Sequence, residues 1–347
     1  MEFLKDYGLF LAEVVTIVLA IGVIIALIAS QKQKKAFSGH IEVDKINEKI
    51  DAMSTVLKEA ICEPEQLKQE KKQQKEAKKT AKKQAKKDNQ GNEAPKKRVY
   101  LLDFNGDIKA SATSHMREEI TAILAVATEA DEIVLKLESA GGMVHSYGLA
   151  ASQLARITSR NIPLTVCVDK VAASGGYMMA CVANKICAAP FAILGSIGVL
   201  AQIPNFNRLL KKHDIDFEQL TAGEYKRTLT IFGENTDAGR QKFVDDLEKT
   251  HKLFKDFVKQ HRDVVDIDDV STGEIWFGTE AKEKMLVDEL RTSDDYVTKL
   301  AIDSDIYQVK YVQKKTIAEK IGMAACAAID RTLLKVWEDL NLSRFFL

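Results

Sequence analysis

The chain has 347 residues, 46% of them hydrophobic, with 50 basic and 50 acidic side chains and a formal net charge of zero. That apolar content excludes a chain disordered throughout and is enough for one sizeable core within about two domains. The charge balance gives no reason to expect a specific nucleic-acid partner, so the placement of charge along the chain matters more than its sum.

Residues 9–29, "LFLAEVVTIVLAIGVIIALIA", are apolar except for Glu13 and Thr16. At about 1.5 Å per residue the run crosses a hydrocarbon core of about 30 Å, which predicts one membrane helix and the lipid bilayer as a partner. The leading "MEFLKDYG" has two acids against one lysine, and the run exceeds a usual signal-peptide core, so a retained anchor is expected. Lys5 precedes the span, whereas Lys32, Lys34 and Lys35 follow it, with Lys45 and Lys49 beyond. The positive-inside rule therefore places the main domain in the cytoplasm.

Residues 41–67 carry some helical periodicity. Residues 65–98, "EQLKQEKKQQKEAKKTAKKQAKKDNQGNEAPKKR", have almost no apolar side chains and cannot bury a core. They read as a solvated, fluctuating helical spacer, in preference to a site for anionic lipid head groups or nucleic acid.

From Val99 onward, short apolar runs alternate with helical ones. "RVYLLDF", "EIVLKLES", "PLTVCVD" and "ICAA" predict strands. "SHMREEITAILAVATEA" with Ser114 as N-cap, "YGLAASQLARI" and "SGGYMMACVANK" predict helices. Repeated strand-helix-strand units imply an α/β fold with a largely parallel sheet. Residues 186–203 do not read as a second span, because Pro190, Gly195 and Gly198 interrupt them.

Cys62, Cys167, Cys181, Cys187 and Cys326 form an odd set without C-x-x-C spacing, and the six histidines stand singly. The cysteines read as buried thiols, and neither a disulfide framework, a metal site nor a cofactor is expected.

Three glycine-containing turns follow strand-like runs: "ESAGGMV", "AASGGY" and "LGSIGV". In a parallel sheet such turns collect at the carboxyl ends of strands, where α/β folds bind ligands. Ser174 stands at a helix entry, where free N–H groups favour developing negative charge, and Gly175 and Gly176 leave room for an extended substrate. Gly141 and Gly142 add further backbone N–H groups to a possible oxyanion hole. Taken alone, Ser174 reads sooner as a helix cap than as a nucleophile, and it lacks the G-x-S-x-G elbow.

A nucleophilic serine needs a base, and His145, Lys170 and Lys226 are the candidates. His145 reads as structural or pocket-lining and Lys170 as solvated. Lys226 lies in the polar, aromatic segment "GEYKRTLTIFGENTDAGR". A lysine base must be neutral, a shift from about 10.4 toward 7 that corresponds to roughly 4 to 5 kcal/mol of environmental bias. Burial against Tyr225, Phe232 and the cleft would supply it, with the Ser196 hydroxyl orienting the amine.

The ordered pieces "SAGG", "DKVAASGGYMMA", "GSIGV", "GEYKRTLTIFGENT" and "IWFGTEAKEKMLVDEL", from Val99 to Leu290, resemble the signal peptide peptidase A family of membrane-anchored serine proteases. The resemblance implies a crotonase-like (ClpP-type) α/β domain and a Ser-Lys dyad without histidine or metal. It places the nucleophile at Ser174, the general base and acid at Lys226, the lysine contact at Ser196 and the oxyanion N–H donors at Gly141 and Gly175. It also implies homo-oligomeric rings in which subunits share catalytic residues, and a periplasmic active site, against the charge rule. Signal-peptide-like, membrane-derived or misfolded polypeptides are the implied substrates, with small or apolar side chains preferred beside the cleaved bond.

The chain departs from the family at Ala140, where proline is common, at Leu194, where threonine is common, and at Met285, where glycine is usual. These changes are expected to affect loop rigidity, pocket shape and a helix end. The resulting organisation is an anchor at 1–30, a spacer at 31–98, a peptidase domain at 99–310 and a carboxyl-terminal extension at 311–347. In that extension Ile317, Ile321, Ala325, Ile329, Leu333, Val336, Trp337 and Leu340 recur at near-helical spacing. An inactive membrane scaffold and an acyl-CoA-processing crotonase-type enzyme are the rival functions; neither explains Ser174, Ser196 and Lys226 together.

Overall fold

The computed structural model describes residues 39–62 and 96–313. The expected span at 9–29, most of the lysine-rich segment and the carboxyl-terminal extension beyond residue 313 lie outside the described residues. Among the described residues no helix is long and apolar enough to cross a membrane.

The apolar runs form strands of a mixed α/β fold. Strand β2 (Lys97–Gly106) pairs in parallel with β3 (Glu132–Ser139), from Val99 opposite Glu132 to Gly106 opposite Ser139. With β1 (His40–Lys45), β4 (Leu164–Val168), β6 (Lys185–Ala188), β9 (Glu289–Leu290) and β10 (Ser304–Val312), the order is β1-β10-β2-β3-β4-β6-β9. The pairs from β10 through β9 are parallel.

The sheet branches at the carboxyl end of β3. Its pairing with β4 stops at Lys136 opposite Cys167, and Ser139 then pairs with Ala172 of β5 (Val171–Ala173). Strand β7 (Ile193–Gly195) continues in parallel beside β5, and β8 (Ile275–Phe277) closes this branch in antiparallel. A branch point at strand carboxyl ends is where an open α/β sheet leaves a crevice.

The period-2 alternation of the strands divides the core. Leu102, Phe104, Leu135, Leu137 and Val166 pack against Met116, Ile120 and Ile123 of α2 (Thr113–Leu124) and against Tyr147, Ala151 and Leu154 of α3 (Val144–Thr158). On the other face Leu101, Val134, Cys167 and Cys187 meet Tyr296 and Val297 of α9 (Ser293–Asp303). Cys167, Cys181 and Cys187 are buried free thiols, as their apolar surroundings predict, whereas Cys62, also expected to be buried, is a partly exposed free thiol at the end of a helix with no buried residue, and Cys326 lies outside the described residues.

The structure corrects several local expectations. Strand β1 joins the sheet from residues expected only to carry helical periodicity, whereas helix α1 (Ile46–Ile61) falls within the helical stretch expected over residues 41–67. Ser114 does not cap α2: Ala112 holds that position, and the Ser114 hydroxyl donates to the Ser111 carbonyl at 3.0 Å. The helix expected over residues 174–185 is only α4 (Gly175–Ala180). It stops early because Asn184 exchanges hydrogen bonds with Leu164, through its N–H and its Oδ1, which turns the chain into β6.

Glu132 ties three elements together at the start of β3. Burial raises its carboxyl pKa, but hydrogen bonds from Lys97, Tyr296 and Thr165 outweigh that and hold it below the ordinary carboxylate value. A depressed carboxylate contributes stability that is present above the unfolded pKa of about 4.3 and lost as pH falls through the folded value. Glu132→Gln is expected to unfold more easily at pH 7, by about 1.5 to 3 kcal/mol, and to lose less stability on acidification than the parent. Thermal unfolding from pH 7 down to 3 measures both.

Met285, at the position where the resemblance leads one to expect glycine, takes φ 60°. It follows α8 (Gly278–Glu283), and the bonds from Met285 N–H to the Lys282 carbonyl and from Leu286 N–H to the Ala281 carbonyl make a Schellman end. A left-handed non-glycine residue costs about 1 kcal/mol, and the Met285 side chain is half exposed, so it returns little by packing. Met285→Gly is expected to raise the unfolding free energy by about that amount, read in urea titration.

Candidate active site

Ser174 sits between β5 and α4 at the N-cap position, but its hydroxyl makes no capping hydrogen bond. Its backbone adopts φ 51° and ψ −119°, a conformation that an L-residue holds only when its surroundings impose it. Two bonds do so here: its N–H donates to the Gly195 carbonyl at 2.8 Å, and its own carbonyl accepts from Met178 N–H at 3.0 Å. The result is a strained strand-to-helix turn that leaves the half-buried serine side chain out of the helix's own hydrogen bonding.

The branch of the sheet brings the other turns to this serine. A Cβ built on Gly141, which has φ 88°, would lie 2.7 Å from the Gly175 nitrogen and 2.9 Å from the Ser174 Cβ. Only glycine fits there. On the far side, Ala173 pairs with Gly195 across β5 and β7, so Ser174 and Ser196 leave neighbouring strands together. Ser196 also has a positive φ, 52°, and its N–H donates to the Glu274 carbonyl at 2.6 Å. Gly141, Ser174, Gly175 and Ser196 are thus gathered as their motifs predict.

Below them runs a buried hydroxyl chain that sequence reasoning did not single out. Gly141 N–H donates to Ser139 Oγ at 3.1 Å, Ser139 Oγ lies 2.6 Å from the Tyr147 hydroxyl, and that hydroxyl donates to the Asp107 carbonyl at 2.7 Å. Burial raises the Tyr147 phenol pKa, with the Ser139 bond pulling the other way, and the side chain is fully buried. The available signals were a serine ending a buried strand and a tyrosine on the apolar stripe of α3.

The candidate bases are not brought to Ser174. His145 is exposed on the first turn of α3, and Lys170 pairs with Glu138 at 3.0 Å. Lys226 is exposed in a turn closed by its N–H to the Gly223 carbonyl at 3.1 Å. Among the described residues no hydrogen bond joins it to Ser174 or Ser196. The expected burial against Tyr225 and Phe232 is therefore not present: Tyr225 is 56% and Phe232 43% exposed, because Phe232 turns to Phe206 and Phe217 instead. Tyr225 and Arg227, on either side of Lys226, line an open cavity of about 710 Å³ together with Phe217, Glu234 and Lys242.

The family model for the amino-terminal part of peptidase family S49 matches residues 2–154, and the model for peptidase family S49 matches residues 156–307. A probable protease SohB of Haemophilus influenzae is 52% identical over 329 residues, covering 93% of each chain. The chain belongs to peptidase family S49. A probable protease SohB of Buchnera aphidicola is 48% identical over 338 residues, with 97% of this S49 chain and 98% of that protein covered. Among solved structures, a membrane-bound stomatin-specific protease is similar at 16% identity and a TM-score of 0.37, over 59% of this chain and 84% of that one. In this S49 chain, Ser174 lies against Gly141 of one glycine turn and bonds through its N–H to the Gly195 carbonyl of another.

Proposed function

We propose that this protein is a membrane-anchored serine endopeptidase with a crotonase-like (ClpP-type) domain at residues 99–310. The observation that carries the reading is Ser174: a serine at a helix N-cap position, in strained backbone, whose hydroxyl does not cap the helix. Ser174 attacks the scissile carbonyl while neutral Lys226 takes its proton. The oxyanion is met by backbone N–H groups of Gly175 and Gly141, Lys226 returns the proton to the leaving amine, and water resolves the acyl-enzyme. Ser196, which leaves the strand beside that of Ser174, orients the lysine amine.

Lys226 is exposed on its own chain, which supports a homo-oligomer in which the lysine completes the site of a neighbouring copy. The apolar run at 9–29 supports the bilayer as a partner and a bacterial inner-membrane location. Membrane-derived or misfolded polypeptides are the substrates this placement favours. Incubating the full-length protein in detergent with casein, and separately with a fluorophosphonate, tests the reading. Casein cleavage with a single label on Ser174 is the expected result; a label elsewhere, with cleavage intact, would sink it.

A further inference from the structure

The hydroxyl chain beneath the site has a fixed proton direction. Tyr147 has one hydroxyl hydrogen and gives it to the Asp107 carbonyl, so the 2.6 Å bond to Ser139 is donated by Ser139. The Ser139 lone pairs are then left to accept, and one takes the Gly141 N–H. The direction is Gly141 N–H to Ser139, Ser139 O–H to Tyr147, Tyr147 O–H to the Asp107 carbonyl. Each hydroxyl both donates and accepts, which strengthens every bond of the chain.

The surrounding packing keeps this chain in register. A Cβ on Gly106 would lie 2.5 Å from both the Ser139 and the Tyr147 oxygens, so the glycine leaves room for the pair. The Tyr147 ring fills the space beside Gly175, where a Cβ would come within 2.4 Å of its Cγ, and the Ser139 carbonyl does the same beside Gly176. The two residues therefore lie under both backbone donors of the site, and one donor is turned inward.

We propose that Ser139 and Tyr147 are positioning residues of the peptidase site: their hydroxyl chain holds the Gly141 N–H turned into the domain at rest, and that N–H is released to the oxyanion as the carbonyl is attacked. The proposal rests on Ser174 as nucleophile. Its energetic consequence is specific. In the parent the N–H exchanges one acceptor for another on reaching the tetrahedral state, and Ser139 loses a donor. Without the Ser139 oxygen, the resting N–H has no partner and only the tetrahedral state satisfies it. Gly141, with φ 88° and no side chain, has the freedom to turn.

The test compares the full-length parent, Ser139→Ala, Tyr147→Phe and Ser174→Ala. The probes are a peptidyl aldehyde with a small apolar residue at its reactive end, which forms a tetrahedral oxyanion adduct with a serine, and the matching peptide amide, which does not. Ser139→Ala is expected to bind the aldehyde about threefold to tenfold more tightly and to raise kcat/KM by a similar factor, the worth of one hydrogen bond, with amide binding unchanged. Tyr147→Phe keeps the ring beside Gly175 and weakens Ser139 as an acceptor, so it is expected to shift the same way by a smaller factor. It also carries the test if Ser139→Ala does not fold. Unchanged or weaker aldehyde binding in a folded variant overturns the proposal. Aldehyde binding that survives in Ser174→Ala overturns the nucleophile assignment itself, and this proposal with it, whatever Ser139 does.

Discussion

Ser174→Ala is expected to lower peptide hydrolysis by on the order of 10⁴-fold to 10⁶-fold, the scale seen when a covalent nucleophile is removed from a serine peptidase. The same substitution is expected to leave stability almost unchanged, and the structure gives the reason. A capping serine loses about 1 kcal/mol on truncation, but the Ser174 hydroxyl caps nothing. Alanine carries the same Cβ through the same φ of 51°, so the backbone strain is neither relieved nor increased. Activity and stability are thereby separated at one position. Hydrolysis of a fluorogenic peptide and the thermal midpoint, measured on one preparation, give the two values. Substantial hydrolysis in the folded variant would mean that another residue attacks the carbonyl. His145→Ala is the matching control: His145 is exposed on the first turn of α3, and its loss is expected to leave most of the activity in place.

The long elements were legible because their residues announce their faces. Val99 to Phe104 and Ile133 to Leu137 alternate between two buried sides of one sheet, and the Met116, Ile120, Ile123 stripe of α2 has helical spacing. Strands β5 and β7 were not legible, since three residues are too few for any period to show. Their pairing is nonetheless what branches the sheet and sets Ser174 beside Gly195. Strand β1, "HIEVDK", has no buried residue and only two apolar side chains, so its sequence carries no core face to mark it as a strand.

Within the site, the glycine turns predicted their own meeting, because the carboxyl ends of parallel strands lie on one edge. The elbow at Ser174 was hidden because its left-handed backbone is held by the Gly195 carbonyl and not by flanking glycines in the G-x-S-x-G pattern. The hydroxyl chain was hidden for a similar reason. Ser139 and Tyr147 each fit a strand or helix pattern, and only the fold shows that their oxygens meet under Gly141.

Lys226 is where a single chain falls short of the predicted site. It is exposed, and among the described residues no hydrogen bond joins it to Ser174, so a second surface has to bring its amine to the serine. Lys226→Ala is expected to reduce hydrolysis by about 10²-fold to 10⁴-fold, the range for loss of a general base, with the fold intact. The sharper expectation concerns mixtures. If the lysine of one copy completes the serine of the next around a closed ring, then Ser174→Ala and Lys226→Ala chains assembled together regenerate sites that neither has alone. With equal amounts and random order, about a quarter of the sites receive an intact serine from one chain and an intact lysine from its neighbour. Co-expressing the two variants under different affinity tags, purifying the doubly tagged assemblies and measuring peptide hydrolysis gives the result. Recovery toward a quarter of the parent rate shows a shared site. Doubly tagged assemblies that stay as inactive as the separate variants place both members of the dyad on one chain, which would then require the turn at residues 223–226 to fold inward over Ser174 when substrate arrives.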